Sequence, residues 1–176
     1  MDADASATLP VAVAPVVGDV ASASWAAAQP VVSVVVATHQ RASFLDELVA
    51  ALAAQESAPD YDVILVDDAS SDSTWTRLSD LVRCAEWPLR AVRLGTGAGP
   101  SLARNTGVAH ARGRWVAFTD DDCLPEPRWL TELVKSGEGV AIVQGSTSPV
   151  PGPRPGPWAR SIDIRSPTAL YETCNL

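Results

Sequence analysis

The stretch Val31 to Ala37, reading Val-Val-Ser-Val-Val-Val-Ala, constrains the fold more than any other feature of the chain. An apolar, β-branched run without polar alternation is the mark of a strand covered on both faces, as in a parallel sheet with helices on each side. Parallel strands need crossover connections, so a helix is expected next. Phe44, Leu45, Leu48, Val49 and Leu52 supply one at helical spacing, with Ser43 placed to cap it.

The alternation continues. Asp62 to Val66 reads as a second strand, and Trp75, Leu78, Leu81 and Val82 form the apolar stripe of a second helix. Leu89 to Leu94 is a third strand. The glycine-rich Gly95-Thr96-Gly97-Ala98-Gly99-Pro100 is a loop leading into a helix from about Ser101 to Ala111, with Gly113 ending it. Trp115 to Thr119, Pro125 to Lys135 and Val140 to Gln144 are then expected as strand, helix and fifth strand. The fold class that follows is α/β, a doubly wound, mostly parallel, Rossmann-like sheet, in which ligands bind at the carboxyl ends of the strands.

Three regions are expected. Residues 1–29, rich in Ala, Val, Ser and Pro and without Lys or Arg, read as a flexible leader, a helix of the fold being the alternative. Residues 30–148 form the α/β domain. In residues 149–176 the prolines at 149, 151, 153, 155 and 157 exclude a central strand or helix, leaving an extended surface connection or a lid over the substrate.

The bulk numbers set limits. A chain of 176 residues holds one domain, and 47% hydrophobic with 19% charged residues excludes a wholly disordered chain. A net charge of −8 disfavours nucleic acid as a partner and favours a cation beside any anionic substrate. Cys84, Cys123 and Cys174 suggest neither a disulfide framework nor a zinc cluster. With no apolar run of ~18 to 20 residues, no membrane segment is expected in this chain. A cytoplasmic setting follows, with membrane association left to a longer form.

Chemistry concentrates at strand ends. Thr38-His39-Gln40-Arg41, Asp67-Asp68-Ala69-Ser70-Ser71-Asp72 and Asp120-Asp121-Asp122 follow the first, second and fourth expected strands. If these ends converge, several carboxylates share one crevice and their repulsion needs a cation or a proton. Asp120 and Asp122, flanking one residue, can offer oxygens to one hard cation, Mn²⁺ or Mg²⁺. The same acidic run can instead serve the N-terminus of the helix near Pro125.

These blocks, with Val32 to Arg41, Val63 to Asp72, Ala103-Arg104-Asn105-Thr106-Gly107 and Trp115 to Asp122, resemble in order and spacing the family 2 glycosyltransferases of the GT-A fold, over about Pro30 to Gln144. The resemblance implies transfer of a sugar from a nucleoside-diphosphate sugar to a glycan, lipid or small-molecule acceptor, metal-assisted and inverting. It implies that Ala37, Thr38, His39 and Arg41 face the nucleobase, and that Asp68, with Asp67 beside it, accepts a base N–H. In Asp120-Asp121-Asp122, the family's Asp-x-Asp motif, the first carboxylate would sit by the ribose, Asp121 would lie among the nucleotide contacts, and Asp122 with Asp120 would hold the metal. Arg104 is either a diphosphate partner, as a guanidinium forks onto phosphate oxygens, or a surface arginine.

The match has gaps. Thr-His-Gln-Arg stands where the family more often has tyrosine and asparagine, so stacking on the base would fall to His39, whose alternative is an ordinary solvated histidine. The last thirty residues offer only Asp163 and Glu172 as carboxylates, neither in the family's base motif, so the catalytic base is expected beyond Leu176 and the chain reads as a fragment. Rival readings are a phosphoacceptor receiver domain, prompted by Asp67-Asp68, a nucleotidyltransferase, which lacks its glycine-rich loop after the first strand here, and a non-catalytic nucleotide-binding remnant.

Overall fold

The computed structural model describes residues 12–148. They form strands β1 (Val16–Ala21), β2 (Val32–Thr38), β3 (Tyr61–Asp67), β4 (Leu89–Leu94) and β5 (Trp115–Phe118), with helices α1 (Leu45–Ala53), α2 (Thr74–Cys84), α3 (Pro100–His110) and α4 (Trp129–Ser136). The sheet order is β1-β4-β3-β2-β5. All pairs are parallel except β1 with β4. Without β1 the order is that of a Rossmann sheet, in which the first parallel strand is flanked by the second and the fourth. A receiver domain places its third strand beside the first, so the topology sets that alternative aside.

The central strands are buried on both faces, as their unalternated sequence requires. Val32, Val34 and Val36 of β2, with Val63 and Leu65 of β3, face a core closed by Leu45, Leu48 and Leu52 of α1, Leu78 and Val82 of α2 and Leu130 of α4. Val35, Ile64, Val66 and Val92 face the opposite core, covered by Ala103 and Leu102 of α3. Alternate residues of each strand thus feed two cores, and the sheet is doubly wound.

Several elements differ from the sequence reading. The flexible-leader expectation does not hold across residues 12–29, because β1 pairs along the edge of β4 and Ala14 and Trp25 are buried. Long-range contacts order this segment. The Ala14 N–H donates to Thr106 Oγ1 (3.2 Å), and the Arg112 guanidinium lies 4.1 Å from the Trp25 ring. Residues 140–144 are irregular, with Val140 and Ile142 exposed. β5 is the sheet edge among the described residues, and β propensity makes no strand without a ladder partner. Ser43 caps nothing, since α1 begins after Phe44 with no side-chain cap. α4 begins only at Trp129, after Pro125 and Pro127 have held the chain in turns. α3 stops at His110, before Gly113. The proline-rich residues from Pro149 onward lie outside the described part.

Candidate functional site

The carboxyl ends of β2, β3 and β5 come together at one edge, and a chain of contacts encircles the crevice between them. The Asp68 N–H donates to Thr38 O at 2.9 Å, joining the ends of β3 and β2. The carboxylate of Asp68 then reaches the loop after β4, accepting the Ala98 N–H at Oδ1 (2.7 Å) and the Gly99 N–H at Oδ2 (2.8 Å). Gly99, at φ 85°, adopts a left-handed conformation that costs glycine little, and Pro100 opens α3 behind it. From α3, Arg104 donates to Asp120 Oδ1 at 2.6 Å. Arg41, after β2, closes the circuit with Asp122 at 3.7 Å.

These contacts link Asp68 and Asp122 around one crevice at this end of the sheet. It is most open at Asp122, whose side chain is 47% exposed. Asp121 is half-buried, and burial pushes its carboxyl pKa up, a shift reinforced by Asp122 and Asp120 and opposed by Thr38 and the Arg41 guanidinium. Thr38 is buried beside Asp121.

The adjacent aspartates have opposite situations. Asp67 is fully enclosed, accepting the Ser70 N–H at Oδ1 (3.0 Å) while Oδ2 lies 3.4 Å from Arg93 Nε. It shapes the loop after β3 and presents no surface to a ligand, which corrects its expected place beside the nucleotide. Asp68, the first residue after β3, turns its carboxylate to the loop before α3 instead. His39 is exposed and donates from Nδ1 to Asp68 O at 2.8 Å, so its ring is held at the rim. Arg41 is steered by its N–H to Thr74 Oγ1 (3.0 Å) and lies 5.1 Å from the Phe44 ring centroid. Ala37 is half-buried at the end of β2.

Sequence reasoning missed three participants: the amides of Ala98 and Gly99, Ser70, which accepts the Gln40 N–H (2.9 Å), and Arg93, which donates to Ser70 O (2.8 Å). The signal for the first was the glycine-rich loop itself. Gln40 and Ala69 both have φ 54°, left-handed for residues with a Cβ, so the backbone is strained at two of the converging strand ends.

A cavity of about 450 Å³ adjoins the crevice on the β1 side, between Val17, Ser71, Trp75 and Arg93, and does not include the Asp-x-Asp carboxylates. Among the described residues no three His, Cys, Asp or Glu side chains group as a metal cage. A Mg²⁺-type ion held by one or two carboxylates and substrate phosphates needs no such cage. Asp120 and Asp122 have the right donor chemistry, and in this structure their negative charge is already met by cations, Arg104 and Arg41. Their oxygens fit a divalent ion by donor type, and such an ion would take the place of these guanidiniums.

Comparison with known proteins identifies the family and the fold. The family model described as glycosyl transferase family 2 matches residues 33–170. The succinoglycan biosynthesis protein ExoO of Rhizobium meliloti (strain 1021) is 34% identical over 63% of this chain and 31% of that protein. Validoxylamine A glucosyltransferase of Streptomyces hygroscopicus subsp. limoneus is 34% identical over 64% of this chain and 25% of its own. Among solved structures, the mannosyltransferase PcManGT from Pyrobaculum calidifontis in complex with GDP-Man and Mn²⁺ superposes with a TM-score of 0.54 at 30% identity, covering 61% of this chain and 32% of that one. S. aureus TarS 1-349 in complex with UDP-GlcNAc gives 0.54 at 29%, covering 59% and 30%. The chain thus spans about a third or less of these proteins. On the family match and the fold together, this chain belongs to glycosyl transferase family 2.

Proposed function

We propose that this chain is the donor-binding part of an inverting glycosyltransferase that uses a nucleoside-diphosphate sugar and a divalent metal, Mn²⁺ or Mg²⁺. The observation that supports it is the closed circuit from Asp68 through α3 to Asp120, with Thr38, Asp121, Asp122 and Arg41 on the same crevice. In this reading Ala37, Thr38, His39 and Arg41 line the base, and a free lone pair of Asp68 accepts a base N–H. Asp120 and Asp121 take the ribose side, and Asp122 with Asp120 holds the metal. The metal, when bound, supplies Lewis-acid stabilisation of the charge that builds on the leaving diphosphate. Arg104 turns from Asp120 to the diphosphate oxygens, a pairing that guanidinium geometry favours.

The acceptor is a glycan, lipid or small molecule, and the base that activates it is assigned to no residue here. No helix among the described residues is long and apolar enough to cross a membrane.

Calorimetric titration with a panel of nucleoside diphosphates, with and without Mn²⁺, tests the reading. At least one should bind, more tightly with Mn²⁺, and Asp122→Ala should lose the metal-dependent part. Absence of binding across the panel with Mn²⁺ present would overturn the proposal.

A further inference from the structure

We infer that Asp68 is a positioning residue for the diphosphate as well as a contact for the base: its carboxylate latches the loop before α3 and so sets where Arg104 stands. The inference rests on the proposed function for the diphosphate, and on three observations of its own. First, both carboxylate oxygens are engaged by the backbone, from Ala98 at 2.7 Å and Gly99 at 2.8 Å, in a side chain with only 7% of its residue surface exposed. Bonds from amides to an ionised, nearly buried acceptor are the strong kind.

Second, the latched residues begin α3. Gly99 O accepts the first helical bond, from Ala103 N–H at 3.1 Å, and Arg104 follows directly. Fixing Ala98 and Gly99 therefore fixes the origin of the helix that carries the guanidinium. Third, Arg104 is already aimed, reaching Asp120 at 2.6 Å with a side chain only 19% exposed. Positional errors near 1 Å are costly in such a site. An untethered glycine-rich loop would admit errors of that size, because glycine leaves the backbone many conformations.

A carboxylate that served the base alone would matter only for ligands that have a base. A latch matters equally for inorganic pyrophosphate, which has neither base nor ribose. The experiment measures binding of Mn²⁺–pyrophosphate and of the nucleoside diphosphate that binds best, to wild type, Asp68→Asn, Arg104→Ala and the double variant. Asp68→Asn keeps the shape but turns an amide NH₂ toward one of the backbone donors. We expect it to weaken pyrophosphate about tenfold, comparable to Arg104→Ala, with the double variant no more than about twofold weaker than the weaker single, the non-additivity of residues acting as a unit. Unchanged pyrophosphate binding in Asp68→Asn, or losses that multiply in the double variant, would overturn the inference.

Hydrogen exchange on the ligand-free wild type gives an arm that needs neither ligand nor variant. The Ala98 and Gly99 amides should exchange far more slowly than those of Thr96 and Gly97 in the same loop. Uniformly fast exchange from Thr96 to Gly99 would refute the latch even if nucleotides bind. Slow exchange at Ala98 and Gly99 with no nucleotide binding would leave the latch standing and remove the proposed function.

Discussion

Gly107→Ala isolates how closely α3 must sit on the sheet. A Cβ at this position would stand 2.3 Å from Val35 Cγ1 and 3.3 Å from Val66 Cγ2. Carbon atoms pack at about 3.5–4.0 Å, so the first contact is short by more than 1 Å. Val35 cannot give way, being fully buried in the central strand β2 between β3 and β5, so the helix must lift. Overpacking of this kind costs about 1–3 kcal/mol. Alanine recovers roughly 0.5–1 kcal/mol of helix propensity over glycine. The difference spans about 0–2.5 kcal/mol, and a contact this short puts it in the upper part, about 1–2 kcal/mol. With a urea slope of about 1–3 kcal/mol per molar, the midpoint should fall by roughly 0.3–2 M. Arg104 lies one turn earlier on the same helix, so lifting α3 should also weaken nucleoside diphosphate binding through the 2.6 Å Arg104–Asp120 contact. Gly97→Ala is the control, since its Cβ would meet nothing within 4 Å. A midpoint for Gly107→Ala equal to or above wild type would refute the packing argument.

Trp25→Ala should destabilise by about 3 kcal/mol, the low end for a large buried aromatic, and urea denaturation will show whether the leader belongs to the cooperative unit; a loss below about 0.5 kcal/mol would mean that it does not. Asp121→Asn removes a carboxyl whose pKa burial raises in the folded protein. Such a group favours the fold fully below its unfolded pKa and loses that favour as pH rises through the folded value. Metal-free Asp121→Asn should therefore gain stability over wild type at pH 7 and lose the gain near pH 3, and a gain independent of pH would contradict the assignment. Asp67→Ala should be more destabilising than His39→Ala, because Asp67 is enclosed between the Ser70 amide and Arg93 while His39 stands at the exposed rim; equal melting temperatures would count against the structural role of Asp67.

The sheet was legible in the sequence because burial on both faces leaves no polar alternation, and β2 and the Val63-Ile64-Leu65-Val66 run of β3 are readable on that ground alone. The crevice was legible as strand ends, since in a doubly wound sheet position along the chain already implies position at one edge. What escaped was information held in long-range pairing. Strand β1 is half-exposed, and its partner β4 is some seventy residues away. Asp67 and Asp68 are the same residue type side by side, and only their partners, Ser70 and Arg93 for one and the amides of Ala98 and Gly99 for the other, tell them apart. The Arg104–Asp120 and Arg41–Asp122 pairings join residues on different elements whose local sequence gives no sign of the partner.

Charge at the crevice leads to a last expectation, which concerns the order of ligands. Three carboxylates, Asp120, Asp121 and Asp122, face two guanidiniums, Arg41 and Arg104, leaving an excess of negative charge, while the Asp68 carboxylate is turned to the amides of Ala98 and Gly99. A diphosphate brings further negative charge into that field. At an effective dielectric of about 20, two like charges roughly 5 Å apart repel by about 3 kcal/mol, a size comparable to much of a micromolar binding energy. A doubly charged cation cancels the excess, so each ligand should improve the site for the other. Linkage makes that improvement reciprocal: the factor by which Mn²⁺ tightens the nucleoside diphosphate must equal the factor by which the nucleotide tightens Mn²⁺. Titrations run in both orders should return one factor of at least tenfold, and it should collapse toward one in Asp122→Ala. A factor near one in the wild type would mean that Arg41 and Arg104 already neutralise the crevice, and the case for a metal would fail on electrostatic grounds.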